Sequence, residues 1–247
     1  MSNAFITNTV LTGFLWHPWS ACSFDDKVAV FRFQLSDDLL FDDQLPELQP
    51  HEMSRAQRYH RQEDRIRYSY TRLILRMLVG RYLKQEPASI HFTTGINKKP
   101  EIKGNTSLHI NVSHSGNWIL VAIGKASVGV DIEKINLGMT FQDMLSASFS
   151  QEEQQYVNAS VDPRFAFYEL WTRKEALVKA TAKGLDDDFP RMPSLNGIHP
   201  IDSKLIGAAG DWTVASFAVS EAYPAAVAYR PMANYPTFYT LDSSLFN

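Results

Sequence analysis

The sequence predicts an α+β fold of two similar halves, and three observations carry that prediction. Helical periodicity followed by short strand-like runs occurs twice, once in each half of the chain. A short echo, RMLV at 76–79 and EALV at 175–178, falls at corresponding places in the two helical passages. No low-complexity tract or Gly/Ser linker separates the halves, so they are expected to pack tightly. With 247 residues, 45% of them apolar and 21% charged, the chain can bury a sizeable core.

Taken in order, KVAVFRFQL (27–35) alternates apolar and polar residues and reads as a half-buried strand. A polar, acidic stretch, SDDLLFDDQLPELQP (36–50), follows, punctuated by Pro46 and Pro50. From about Met53 to Leu83 the pattern is helical, as two helices, with Tyr59, Ile66, Tyr70, Leu73, Ile74 and Met77 recurring along one side. Strands are expected at 89–94, 107–112, 117–123 and 127–133, between links bearing Gly, Asn and Pro. FSQEEQQYV predicts a short helix capped by Ser150, with Glu153 three residues on. A long helix over 163–182 opens with Pro163 behind Asp162, and Gly184 stops it. Two further strands, DWTVASFAV and AAVAYR, are separated by a turn at Pro224.

Bulk properties exclude several classes. The charge balance, 24 Lys and Arg against 27 Asp and Glu, argues against a nucleic-acid partner. Cys22 is the single cysteine, which excludes an internal disulfide and a cysteine metal cage and fits a reducing compartment. The first residues lack a basic leader with an apolar core, and no run reaches the roughly 18 apolar residues of a membrane span. A cytoplasmic protein is expected.

The chemistry-bearing residues start with VGVDIEKI (128–135). In a strand, Asp131 and Glu133 point to the same side and repel each other. They either lie on a solvated edge or hold a hard cation such as Mg²⁺, which takes one or two carboxylates with substrate phosphates. In WTRKEALVK, Glu175 and Lys179 are four apart, the spacing of a surface ion pair. Trp171 one turn earlier suggests instead a packed face, so that Glu175 could join the strand pair beside a phosphate-binding lysine. NVSHSGNW (111–118) is either a capped turn or a set of imidazole and hydroxyl donors for an anion. Arg55, Arg58, Arg61, Arg65, Arg67, Arg72, Arg76 and Arg81 crowd one helical region; most are expected to be solvated, with Arg67 at the edge of the apolar face. Lys98 and Lys99 precede Pro100 in a cationic loop. Walker A and Rossmann fingerprints are absent, as are hydrolase triad motifs.

NVSHS, VGVDIEKI and WTRKEALVKATAKGL, in that order, make the chain resemble the 4'-phosphopantetheinyl transferases of the larger, surfactin-synthetase-activating (Sfp/EntD-like) type. The resemblance spans about residues 50–190 by motif. It implies two pseudo-symmetric α+β halves, residues 1–125 and 126–247, each a small, mostly antiparallel sheet packed on a long helix. Coenzyme A would bind in the cleft between them. It also implies a holo-[acyl-carrier-protein] synthase type of reaction: the phosphopantetheine arm passes to a serine of an apo acyl or peptidyl carrier protein, and 3',5'-ADP leaves. By the same resemblance, Asp131, Glu133 and Glu175 match Mg²⁺ ligands and Lys179 a lysine at the pyrophosphate. Ser113 and His114 match phosphate contacts, Lys99 the lysine of a GKP loop, and Arg55 and Arg67 cations that grip coenzyme A phosphates. The chain departs from the pattern at Ala182, where a Gly-Lys-Gly would have glycine, and at Lys98, in the glycine position of GKP. Either Glu175 or a metal-bound water that it polarises would serve as base, while Asp131 and Glu133 would hold the metal.

Two rival readings use the same carboxylates: a Mg²⁺-dependent hydrolase of nucleotide pyrophosphates, and a non-catalytic coenzyme A-binding protein. The segment 136–149, with Met139, Phe141, Met144 and Leu145, is either a carrier docking surface or a buried helix face. Internal duplication would make a monomer sufficient.

Overall fold

In the computed structural model, which describes residues 3–36, 47–105 and 107–246, the strands sort their side chains between separate cores. In β3 (Val28–Gln34), Ala29, Phe31 and Phe33 enter one core while Val28 and Val30 enter another. β7 (Trp118–Gly124) repeats the pattern: Ile119, Val121 and Ile123 face the first core, Leu120 and Ala122 the second. Strands buried on both faces read as continuous apolar runs, which explains WILVAIG.

The second core lies between two five-stranded sheets. One runs in the order β2 (Trp16–Pro18), β12 (Thr237–Thr240), β3, β7, β6 (His109–Ser115). The other runs β8 (Val128–Ile132), β11 (Tyr223–Tyr229), β10 (Trp212–Ser220), β1 (Asn3–Val10), β9 (Gly197–Asp202). A two-stranded ribbon of β4 (Phe92–Thr94) and β5 (Pro100–Ile102) stands beside them. Helix α2 (Gln62–Leu83) covers the outer face of the β3 sheet, sharing a core through Leu73, Ile74, Leu75 and Leu78. Helix α5 (Pro163–Thr181) covers the β10 sheet through Ala176, Leu177 and Ala180. The result is helix, sheet, sheet, helix in four layers, an α+β architecture with two sheet-bearing halves.

The β10 sheet is mostly antiparallel, with β1 and β10 its one parallel pair. The β3 sheet is evenly mixed, because β12 pairs in parallel with both β2 and β3. The halves also exchange their end strands. β1 inserts between β10 and β9, and β12 inserts between β2 and β3, which cuts across a division at residue 125.

The two expected helices before residue 83 form as α1 (Pro50–Gln57) and α2, with Tyr59 in the turn between them. Glu52 locks the pair. It closes the α1 capping box with Gln49 and binds Arg72 and Arg76 of α2, the latter pair at 2.7 Å. Arg76 is fully buried, so the solvation expected of the arginine run fails there. Its guanidinium is met by Glu52 and the carbonyls of Pro87 and Ile90.

In the other half, α3 (Gln142–Ser148) and α4 (Gln151–Ala159) precede α5, and α6 (Ser203–Ile206) follows β9. The Ser150–Glu153 capping box forms as expected. Glu153 also pairs with buried Lys174 of α5 at 2.8 Å and accepts from Ser194, tying α4 to α5. Asp162 caps α5 by accepting from the Phe165 amide at 2.9 Å. The far end falls within one residue of the expected 182, but Ala182, left-handed at φ 57°, terminates the helix in place of Gly184. Pro224 lies inside β11 rather than in the preceding turn. Most of the acidic stretch 36–50 lies outside the described residues. No described helix is long and apolar enough to cross a membrane.

Candidate functional site

β6 and β8 are edge strands of different sheets, and the site forms where these edges meet. Alternate β6 side chains reach across to β8. Asn111 accepts from the Val130 amide at 2.8 Å, Ser113 donates to Asp131 Oδ1 at 2.8 Å, and Ser115 donates to Glu133 Oε2 at 3.0 Å. The two-residue repeat of a strand puts all three β6 donors and acceptors on one side. Side chains thus take the place of ladder hydrogen bonds between two otherwise open edges.

Helix α5 supplies a third wall. Most of its surface is buried, but Trp171, Glu175 and Lys179, one turn apart, form a stripe left partly exposed. Trp171 packs against Phe149, Phe167 and Phe189, so this face is packed rather than washed by water. Lys179 does not close a surface pair with Glu175. Its ammonium crosses to Asp131 Oδ1 at 2.5 Å and Ser113 Oγ at 3.0 Å. The close approach of strand and helix depends on Gly129, where a Cβ would overlap the Ala176 carbonyl and the Ala180 amide.

Negative charge is in surplus here. Burial, then the charges of Asp131 and Glu175, push Glu133 up to about 7, against Ser115 and Lys179. Burial and Asp131 likewise raise Glu175, with Lys179 opposing. Asp131 is 2% exposed, and its Oδ2 is buried with no hydrogen-bond partner among the described residues. No three His, Cys, Asp or Glu side chains among those residues form a ready-made cage for a metal. Mg²⁺ does not require one, since one or two carboxylates, water and substrate phosphates complete its shell. An orphaned carboxylate oxygen beside two carboxyls held above their usual range fits a hard cation of that kind.

The remaining predicted residues lie on separate elements around this cluster. His114 is exposed, one residue out of phase with Ser113 and Ser115. Desolvation by neighbouring atoms and the charge of Arg67 push its imidazole down. Arg67, on α2, pairs with Asp64 at 2.7 Å, and its Nε is buried without a partner among the described residues. Arg55, on α1, is exposed, with its guanidinium 5.3 Å from the centre of the Tyr68 ring. Lys99 is turned inward: its ammonium donates to the carbonyls of Val128 at 3.0 Å and Ala180 at 3.1 Å. The side chain of Lys98 lies outside the described set.

The sequence reading took the two serines of NVSHSGNW as donors for an anion and missed Asn111, although the alternation of Asn111, Ser113 and Ser115 before an acidic strand is the signal that marks a link to that strand. In the segment 136–149, Phe141 and Leu145 are core residues. Met139 and Met144 instead line a groove of about 270 Å³ with Glu133, Lys134 and Trp171.

Residues 127–228 match a family model described as the 4'-phosphopantetheinyl transferase superfamily. Residues 25–126 match a second, described as the N-terminal part of a 4'-phosphopantetheinyl transferase. A putative 4'-phosphopantetheinyl transferase of Synechocystis sp. is 37% identical over 143 residues, which is 56% of this chain and 58% of that protein. A 4'-phosphopantetheinyl transferase of Bacillus subtilis is 32% identical over 133 residues, 53% of this chain and 58% of that protein. The 4'-phosphopantetheinyl transferase Sfp of Bacillus subtilis strain 168 is 28% identical over 141 residues, 56% of this chain and 62% of Sfp. The chain thus spans between 58% and 62% of the length of these three relatives.

Proposed function

Because the chain belongs to the 4'-phosphopantetheinyl transferase superfamily, we propose that it moves the 4'-phosphopantetheine arm of coenzyme A onto a serine of an apo acyl or peptidyl carrier protein, releasing 3',5'-ADP. The observation that carries this reading is the convergence of Asp131, Glu133, Glu175 and Lys179 from two elements onto one half-buried site rimmed by Ser113 and Ser115. Asp131 and Glu133, with Glu175, would hold Mg²⁺. When bound, that ion neutralises charge on the pyrophosphate oxygens.

The serine hydroxyl attacks the phosphorus that bears the pantetheine arm, and the bond to the bridging oxygen breaks. The serine proton would pass to Glu175 or to a water that Glu175 holds at the metal. Lys179 stabilises charge on the leaving oxygen of 3',5'-ADP. Neutral His114 donates a hydrogen bond to a phosphate oxygen, and Arg67 and Arg55 add charge at the α2 side. The groove lined by Met139, Met144 and Trp171 offers an apolar wall to the arm or to the carrier segment that bears the serine.

The test follows transfer by mass spectrometry, using apo acyl and apo peptidyl carrier proteins with coenzyme A and Mg²⁺. Wild-type protein should add the arm, and Glu175→Gln or Lys179→Ala should each lose on the order of 10²–10³ in rate. Near-wild-type turnover by either variant would sink the assignment. Rapid coenzyme A cleavage without carrier would favour a pyrophosphate hydrolase instead.

A further inference from the structure

The last turn of α5 is finished by residues of the other half. Asn97, itself left-handed at φ 50°, donates from Nδ2 to the carbonyls of Ala182 at 2.7 Å and Lys183 at 2.5 Å. Two residues on, Lys99 Nζ donates to the Ala180 carbonyl at 3.1 Å. The final carbonyls of a helix have no partner within it, so these are helix caps delivered from outside.

The same ammonium also holds β8. Its second bond, at 3.0 Å, goes to Val128, the first residue of that strand. Lys99 therefore joins the start of β8 to the end of α5, where Gly129 already brings the two backbones together. From this junction β8 runs to Asp131 and α5 runs back to Lys179 and Glu175. The Lys179–Asp131 pair, at 2.5 Å, spans the same strand and helix that the junction joins.

We propose that Lys99, supported by Asn97, is a positioning residue for the transfer site. It sets the spacing of α5 against β8, and through it the approach of Lys179 to Asp131, without gripping the co-substrate. The inference rests on the transfer reading for its kinetic part only. Two of the three N–H donors of the ammonium are already committed to carbonyls, and the bonds tie the two active elements to each other. A lysine dedicated to phosphate would keep its donors turned outward.

The test compares Lys99→Met and Asn97→Ala with wild type in the full chain. Hydrogen exchange, which requires no turnover, should quicken at least tenfold at amides 178–182 and 129–131 in Lys99→Met, and at 180–183 in Asn97→Ala. Binding of 3',5'-ADP by calorimetry should change less than threefold, while kcat for transfer falls about tenfold in Lys99→Met. In the Lys179→Ala background, Lys99→Met should then cost little more, because its effect passes through Lys179. A tenfold loss of 3',5'-ADP affinity with kcat retained would make Lys99 a direct ligand and overturn the proposal. Unchanged exchange at both segments would overturn it as well. A wild type that transfers nothing would refute the transfer reading, and the exchange measurement would still decide the junction. If Lys99→Met fails to fold, Asn97→Ala decides the helix-end half of the junction, and unchanged exchange at 180–183 there overturns it.

Discussion

Lys99 also makes a pH experiment possible. Burial holds its ammonium down to about 8, with Glu101 opposing. A neutral amine keeps two N–H donors, the number needed by the Val128 and Ala180 carbonyls, so the contact survives deprotonation. A base held below its unfolded value of about 10.4 contributes stability that is present above that value and is lost as pH falls through about 8. The free energy of urea unfolding of wild type, minus that of Lys99→Met, should therefore grow as pH rises from 8 towards 10. A difference that stays flat would remove burial as the cause. Single residues differ in how far the sequence discloses them. Asp131, Glu133, Glu175 and Lys179 are legible because strand and helix periods put each pair on one face. The partners of Lys99 are backbone carbonyls 29 and 81 residues away, and no side-chain pattern encodes a carbonyl.

At the level of elements, the end of α5 stores strain. Ala182 adopts φ 57°, where an L residue with a Cβ is at a disadvantage of roughly 1–2 kcal/mol relative to glycine. Ala182→Gly should raise unfolding free energy by about 1 kcal/mol, less what the added freedom of the unfolded chain removes. Urea denaturation reads this directly, and a loss of stability would mean that the Cβ makes packing contacts that outweigh the strain. The start of this helix was readable from Asp162 and Pro163, since capping chemistry is local. Its end was readable to within a residue, but the groups that finish it were not, because Asn97 and Lys99 act from a distance. The same contrast separates the strands. β3, β7 and β8 announce themselves by apolar runs, whereas β5 and β12 have three and four residues and become strands only through their neighbours.

At the scale of the whole molecule, helix–strand duplication was visible in the sequence, but the exchange of end strands was not. β1 lies between β9 and β10 in one sheet, and β12 lies between β2 and β3 in the other. Neither is an ornament at an edge. Of the two spans matched by family models, 127–228 lacks β1, which its sheet needs between β9 and β10, and 25–126 lacks both β2 and β12, which leaves β3 as a bare edge. Each alone should melt without a cooperative transition by circular dichroism, and should regain one only when the missing end segments are restored. A sharp melt from either fragment would mean that the halves fold independently.

That strand exchange also imposes an order on synthesis. A ribosome extends the chain at about 5–20 residues per second, and domains are usually able to fold as they emerge. Here the first strand, ending at Val10, must wait for its partners β9, which begins at Gly197, and β10, which begins at Trp212. The β3 sheet cannot join β2 to β3 until Thr237–Thr240 has left the exit tunnel. The half that is made first is therefore completed last, and until then β2 and β3 expose edges on which a chaperone, or another nascent chain, can act.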